Sequence, residues 1–194
     1  MAAPLTRDDL MSLEQYAARR DEFRKHVIAH KKHRRVGVGK HLFLYFEDRL
    51  TVQYQVQEML RIEKIFEAGG IAEELGAYNP LIPDGSNLKA TAMLEYQDVT
   101  ERKQQLARLK GIEDQVWLKV EGFEPVFAIS NEDLERSNEE KTSAVHFMRF
   151  ELDSDMIAAL KNGTGLSFGS DHKMYPYSTE ATAETRQSLI ADLD

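Results

Sequence analysis

The sequence predicts an α+β fold, in which N-terminal helices and a mostly antiparallel β-sheet pack on a long buried helix. Apolar residues recur at helical spacing before residue 35 and again in the segment 50–68, whereas hairpin patterns occupy 36–46 and 114–129. Hairpins and short connections join antiparallel neighbours, so these patterns favour an antiparallel sheet with helices on one face.

The N-terminal part of the chain is predicted to form two helices. Thr6 with Asp9 three residues later resembles a capping box, and apolar side chains at helical spacing follow to about Arg20. Asp21 is a suitable N-cap for a second helix over 22–34.

A β-hairpin that turns near Gly39 and a long helix are predicted next. Residues 50–57 alternate in polarity like a strand, but the continuation EMLRIEKIFEA is helical and Gly69 is a suitable end. We therefore predict one helix over 50–68. Its apolar residues occupy most of the circumference, which indicates burial on several sides.

Beyond a proline-containing loop at 78–87, short strands and helices alternate. The predicted strands are 90–97, 114–120, 125–129, 143–151 and 164–169, and the predicted helices are 99–110, 153–162 and 180–193. The chain is predicted to be a single α+β domain over 1–194, with a sub-boundary indicated only at the acidic stretch 131–141.

Composition excludes several classes of protein. The chain has no cysteine, which excludes disulfides, thiolate nucleophiles, zinc ribbons and ligation of an iron–sulfur cluster by this chain. No apolar run reaches the length of a membrane span, and the first residues lack the basic and apolar regions of a secretory signal. A cytoplasmic location is the expectation.

Positive charge is concentrated in one block. Residues 23–46 carry seven Lys or Arg and no Asp or Glu, although the formal net charge of the chain is -8. The block predicts a basic face that is either simply solvated or binds an anionic ligand or an acidic protein. His26, His30 and His33 share a helix face and could chelate a metal, but the surrounding cations disfavour this. Nucleic acid is an unlikely partner, because the net charge repels a polyanion.

Two carboxylates fall within the apolar arcs of the predicted long helix, at Glu58 and Glu63. A carboxylate without water there must be paired, bound to a metal or protonated. Arg61 lies one turn from Glu58 and is the expected partner. A structural ion pair and a metal-ligating or catalytic glutamate both remain open.

His146 and Glu95 lie on predicted strands. His146 shares a strand face with Met148 and Phe150, which is typical of a hydrogen-bonded core histidine but also suits a general base or a metal or haem ligand. If Glu58, Glu95 and His146 converge, they form a carboxylate–histidine metal site.

Four long segments resemble a bacterial family known as a domain of unknown function. They are IAHKKHRRV (28–36), FEDRLTVQYQVQEMLRIEKIF (46–66), AYNPLIPDGSNLKATAMLEY (77–96) and EEKTSAVHFMRFEL (139–152). Members of this family are often encoded beside a rubrerythrin and a cysteine-rich iron–sulfur oxidoreductase. The resemblance therefore implies a role in peroxide or redox metabolism, although it assigns no catalytic residue.

The expected function is that of an accessory or partner protein in this redox system, with rubrerythrin and the oxidoreductase as expected partners. The basic face would bind an acidic partner or an anionic ligand, and the expected ligand-binding residues are His30, Lys31, Arg35, Arg61 and Asn79. The alternatives are a metal-dependent enzyme that holds iron or another divalent metal on Glu58, Glu63, Glu95 and His146, and a haem-binding protein with Lys31 or Arg35 on the propionates. A homo-oligomer is compatible with each alternative.

Overall fold

The computed structural model describes residues 3–132, 137 and 141–194, and these residues form an α+β fold with six α-helices and two antiparallel sheets. The predicted fold class is confirmed. The sub-boundary expected within 131–141 falls mostly outside the described residues.

The N-terminal region contains one long helix where two were predicted. Helix α1 (Leu13–Lys31) begins at Ser12, whose hydroxyl accepts a hydrogen bond from the N–H of Gln15 at 3.2 Å. Asp21 lies inside α1, because no Gly or Pro interrupts the helical segment. The predicted capping box of Thr6 and Asp9 is present, but it closes a short 3-10 turn.

The helix predicted over 50–68 is α2 (Arg49–Glu63), which ends earlier than expected, and a second helix that was not predicted, α3 (Ala68–Tyr78), follows it. Helix α2 ends at Lys64, which has a left-handed backbone (φ 56°, ψ 40°). The N–H of Ile65 then donates to the Leu60 carbonyl at 2.9 Å, which satisfies one of the last carbonyls of α2. Gly69 and its neighbour belong to the first turn of α3 and do not end a helix.

The strands form two sheets. The five-stranded sheet has the order β1–β2–β3–β7–β6, with β1 (Arg35–Val38), β2 (Leu42–Phe46), β3 (Asn87–Leu94), β6 (Ile129–Ser130) and β7 (Val145–Glu151). The four-stranded sheet has the order β5–β4–β8–β9, with β4 (Val116–Val120), β5 (Val126–Phe127), β8 (Leu166–Ser170) and β9 (Ser178–Glu180). The other helices are α4 (Val99–Arg108), α5 (Ser154–Lys161) and α6 (Ala183–Ile190).

Both predicted hairpins are present. Strand β1 pairs with β2, and β4 pairs with β5. The second hairpin is shorter than predicted because Ile129 pairs with Arg149 in the other sheet.

The buried apolar residues form two clusters. In the first, the inner face of the five-stranded sheet packs with the four-stranded sheet, as Leu44 and Phe150 do with Leu118 and Phe168. The second cluster lies between α2, α3 and the N-terminal segment. The side chains of β1, β2, β3 and β7 that point away from the first cluster therefore define another face of the five-stranded sheet.

Candidate binding site

The outer face of the five-stranded sheet carries half-buried apolar side chains. Phe43 lies opposite Met93, which lies opposite Val145, and Thr91 lies between Tyr45 and Phe147 in the next row. A sheet with one solvated face usually alternates apolar and polar residues, but β2 (LFLYF) and β7 (VHFMRFE) are largely apolar on both faces. We call this surface the open face; its residues are Arg35, Phe43, Tyr45, Met93, Val145, Phe147 and Arg149.

Two cavities lie next to each other along the open face. One, of about 640 Å³, is bounded by the end of α3 and by Lys89, Phe147 and Arg149. The other, of about 660 Å³, is bounded by His41, Phe43, Met93, Glu95 and Val145, among others. Together they make a trough across the middle of the sheet.

Arg35 is fixed at one end of this trough. Its guanidinium carbon lies 3.8 Å from the centre of the Phe43 ring and 5.5 Å from that of Tyr45. Its Nε donates to the Tyr45 hydroxyl at 3.0 Å, and that hydroxyl donates to Glu95 Oε1 at 2.6 Å. Burial, and then the bond to Glu95, raise the pKa of Tyr45. Arg35 is thus oriented although its side chain is 43% exposed.

Two further cations lie at the other end of the trough. Arg149 donates through Nε and Nη2 to Glu132 at 2.8 and 2.7 Å, and through Nη1 to Glu151. The Lys89 ammonium donates to the carbonyls of Pro80 at 2.8 Å and Ile82 at 3.0 Å. Burial lowers the pKa of Lys89.

The chemistry of the trough suits binding. The His41 Nδ1 lies 2.9 Å from the Glu95 carbonyl oxygen, and its ring stacks on Tyr96 with the centroids 4.1 Å apart. An apolar centre with oriented cations at both ends can hold an apolar group together with carboxylates.

The basic block does not form one face. Arg34 is buried, Arg35 lies on the open face and Lys40 lines one of the cavities, whereas Lys31 and Lys32 lie at the end of α1. The charge that the sequence concentrates is therefore distributed over a helix, the core and a sheet.

Arg34 was not singled out by the sequence, yet it is only 2% exposed. It donates to the carbonyls of Phe46, Glu47 and Ser188 and pairs with Asp192. The alternation of side chains along a strand could have identified it, because Arg34 lies two residues before Val36, which points inward like Val38 of β1.

His30 is engaged by the same cluster. Its Nε2 lies 2.5 Å from Asp48 Oδ2, and Asp48 also lies 3.4 Å from the Arg34 Nε. The positive charge of Arg34 and hydrogen bonds from Thr51 and His30 lower the pKa of Asp48, although burial opposes this. Burial raises the pKa of Asp192. His30 therefore contributes to the hydrogen-bonded cluster around Asp48 and Arg34.

Glu58 is paired, but mainly with Arg20. It accepts hydrogen bonds from Arg20 Nε at 2.7 Å, Arg20 Nη2 at 2.8 Å and the Tyr16 hydroxyl at 2.6 Å, and these bonds lower its pKa to about 2. The expected partner Arg61 is 42% exposed, with its Nε 3.8 Å from Glu58 Oε1. Glu63 is exposed, so the expectation that it loses water was wrong. Glu63 is the last residue of α2, where the chain leaves the helix through Lys64.

His146 is a hydrogen-bonded core residue, 2% exposed. Its Nε2 lies 2.9 Å from the Thr142 hydroxyl and 3.0 Å from the Ser143 carbonyl, and Nδ1 lies 3.2 Å from Asn131 Oδ1. The Thr142 hydroxyl also lies 2.8 Å from Oε2 of Glu113, a buried carboxylate that no sequence pattern distinguishes.

The expected metal ligands do not converge. Glu58 is held by α1, Glu95 by Tyr45, and His146 by Thr142, while Glu63 faces solvent. In the described part of the chain, no three His, Cys, Asp or Glu side chains are grouped so that they could hold a metal ion. The haem-binding alternative stays a prediction.

Asn79 binds a segment of the chain itself. Its Oδ1 accepts the N–H of Leu5 at 2.8 Å, and its Nδ2 donates to the Leu5 carbonyl at 2.9 Å.

Within the described residues, no helix combines the length and the apolar character that a membrane span requires.

Comparison with known proteins identified a family whose model matches the chain and a solved structure that is similar to it. A family model described as "Protein of unknown function (DUF3501)" matches residues 4–193. The crystal structure of a protein of unknown function from Burkholderia pseudomallei superposes with a TM-score of 0.94 at 55% identity, covering 99% of this chain and 100% of that chain. A comparison with curated proteins found no match.

Proposed function

Because the chain belongs to the DUF3501 family of proteins of unknown function, a membership that assigns no activity, we propose a function from the geometry of the open face. The protein is a binding protein that docks an acidic protein partner on this face. It acts as an accessory protein in a cytoplasmic peroxide and redox system.

The apolar row between two oriented arginines is the observation that carries this proposal. Phe43, Met93, Val145 and Phe147 lie side by side on a sheet face, and in the described part of the chain two open cavities lie along it. Contiguous apolar surface with a polar rim is typical of protein interaction sites, and aromatic residues, Met and Arg are enriched in interfaces.

The charges at the rim favour acidic groups on the partner. Glu95 and Glu132, which now pair with Arg35 and Arg149, are 43% and 52% exposed. Exposed ion pairs contribute about 0–1 kcal/mol, so a partner carboxylate can replace either glutamate at little cost. Because stacking on Phe43 already orients Arg35, such a carboxylate gains a charge-assisted bond with little further loss of side-chain entropy.

The proposed partners are rubrerythrin and the cysteine-rich iron–sulfur oxidoreductase that the family resemblance implies. The chain has no cysteine with which to ligate a cluster itself, and this supports an accessory role beside a partner that carries the redox centre. No observation on the described residues favours the metal-dependent enzyme, so it is not carried forward.

The proposal is tested with both purified partners from the same organism by isothermal titration calorimetry. We expect Arg35→Glu to weaken binding at least about tenfold, because a like charge then faces the acidic partner. The matched control is Lys32→Glu, which reverses a cation of the same basic block on the turn that follows α1.

The control should bind within about twofold of the unchanged protein. Lys32 lies away from the open face, so its charge acts on the partner only through an electrostatic field that salt screens. An equal loss in both variants would point to non-specific attraction and contradict the proposal. So would the absence of binding to either partner.

A further inference from the structure

Residues 3–12, which we call the strap, lie in a groove between α2 and the end of α3. The strap has no regular secondary structure over 3–6, where Thr6 is extended, makes one 3-10 turn at Arg7–Asp9 and then leads into α1. The side chains that hold it come from the groove: Arg49, Gln53 and Gln57 on α2, and Asn79 directly after α3.

Three amide side chains of the groove form hydrogen bonds with the backbone of the strap. Asn79 accepts the N–H and donates to the carbonyl of Leu5, and Gln57 does the same to Met11, at 2.7 and 3.3 Å. The Gln53 Nε2 donates to the Asp9 carbonyl at 2.5 Å. Backbone groups are present in every peptide, so these contacts bind a chain of this conformation with little regard to its sequence.

Two side chains of the strap add selectivity. Leu5 is 3% exposed and packs into the apolar cluster of α2 and α3. Asp9 Oδ1 lies 2.6 Å from Arg49 Nη2, and this bond is the main reason why the pKa of Asp9 falls to about 2. The groove thus accepts an apolar side chain and, four residues later, a carboxylate.

The strap covers the polar part of the groove and leaves space beside it. Gln57 is fully buried under the strap, and both polar groups of its amide bond the backbone of Met11. A cavity of about 440 Å³ remains between the strap and the helices, bounded in part by Leu60, Ile71 and the 69% exposed Phe66. The groove therefore has room for side chains larger than those of the strap.

We propose that this groove is a peptide-recognition site, which the strap occupies in cis and which takes in trans a segment of an acidic protein partner in the same conformation as the strap, with its 3-10 turn. The segment carries an apolar residue at the position of Leu5 and Asp or Glu four residues later. The strap is then an intramolecular competitor, whose tethering gives it a high effective concentration. The groove is separate from the open face, and this proposal does not rest on the docking proposed there.

The test uses the full chain and a fluorescein-labelled peptide with the sequence of residues 3–12, measured by fluorescence anisotropy. We expect Leu5→Asp, which removes the anchor of the strap in cis, to bind the peptide at least about tenfold more tightly than the unchanged protein, because the fraction of open grooves rises. Adding Asn79→Ala to this variant should weaken peptide binding again, because the two hydrogen bonds of Asn79 with the peptide backbone are lost.

A milder variant covers the case in which Leu5→Asp fails to fold by circular dichroism. Asp9→Asn alters only a partly exposed side chain of the strap, and it should also bind the peptide more tightly than the unchanged protein. A peptide with Asp in place of Leu at the anchor should bind neither variant.

Three outcomes would overturn the proposal. The first is a folded Leu5→Asp variant that does not bind the peptide, and the second is peptide binding that Asn79→Ala does not change. The third is a dimer in sedimentation velocity whose formation requires Leu5, because the groove would then hold the strap of a second copy. Arg35→Glu should leave peptide binding unchanged, so failure here and failure of the open-face proposal are distinguishable.

Discussion

At the scale of single residues, Glu58 shows how one carboxylate joins two helices. Arg20 and Tyr16 of α1 donate three hydrogen bonds to this side chain of α2. Because these bonds favour the ionised form, they lower the pKa of Glu58 from 4.5 to about 2, and burial opposes them only in part. The ion pair therefore links α1 to α2 most strongly when Glu58 is charged.

We expect Glu58→Gln to lower the free energy of unfolding at pH 7 by about 1–3 kcal/mol, since the donors lose a charged acceptor. The pKa of Glu58 is lowered by folding, so its contribution is complete above about pH 4.5 and is lost as the pH falls towards about 2. The unfolding free energies of variant and parent should therefore converge over this range. Urea unfolding at a series of pH values measures the difference.

Glu63→Gln is the matched control, because Glu63 lies on the same helix and is exposed. It should change the free energy of unfolding by less than about 0.5 kcal/mol. A difference between Glu58→Gln and the parent that stays constant down to the lowest pH would show that the charge of Glu58 does not contribute.

The sequence could predict that Glu58 is paired but not by which residue. Sequence spacing identifies only neighbours on the same helix, such as Arg61, whereas Arg20 reaches Glu58 because α1 packs against α2. The same limit applies to Asn79, which the chain brings to Leu5 over a separation of 74 residues. Contacts made by packing leave no periodic signal.

At the scale of elements, the break between α2 and α3 depends on one residue in an unusual conformation. Lys64 has φ 56° and ψ 40°, a left-handed region in which the Cβ of a non-glycine residue is crowded. The turn allows Leu60 of α2 and Ile71 and Leu75 of α3 to share one apolar cluster. The packing of that cluster therefore outweighs the local strain.

Lys64→Gly should raise the free energy of unfolding by about 0.5–1 kcal/mol, because glycine adopts the left-handed conformation without a steric penalty. The neighbouring change Glu63→Gly should lower it by a smaller amount, since Glu63 is the last helical residue of α2 and glycine disfavours helical backbone. Thermal and urea unfolding of both variants measure these opposite signs. A loss of stability in Lys64→Gly would contradict the left-handed end of α2.

Elements with strong periodicity were predictable, and short or irregular ones were not. The two hairpins and the helices at 99–110 and 153–162 agree with β1–β2, β4–β5, α4 and α5. Helix α3 has the sequence AGGIAEELGAY, whose glycines indicate a break, but burial of its apolar side chains overrides that preference. Strand β9 has three residues and is defined by its antiparallel pairing with β8.

The open face was the least expected feature at this scale. The apolar runs of β2 and β7 predict strands, but a run that is apolar on both faces also indicates a second buried or binding surface. Which strands lie side by side is a property of the sheet order, and that order cannot be derived from the runs themselves.

At the scale of the whole molecule, a buried carboxylate connects the two apolar clusters. Glu47 is 4% exposed and accepts hydrogen bonds from the hydroxyls of Thr51 on α2 at 2.6 Å and Thr91 on β3 at 2.9 Å. Its own carbonyl accepts from the buried Arg34 at 3.0 Å. The helices and the five-stranded sheet thus meet at one polar side chain, and the prediction of a single domain over 1–194 depends on such links.

Glu47→Ala tests whether this link makes the two clusters cooperative. It removes the carboxylate that both hydroxyls bond: Thr51 keeps the Asp48 carbonyl as an acceptor at 3.1 Å, whereas an unsatisfied hydroxyl at Thr91 costs about 1–3 kcal/mol. Because α2 and α3 pack mainly in their own cluster, we expect amide hydrogen exchange to speed up more in these helices than in β2 and β3. Glu95→Ala, at the 43% exposed Glu95, should change neither region. Equal loss of protection in the helices and the sheet would mean that both clusters still open as one unit, and that packing alone, without the Glu47 link, couples them.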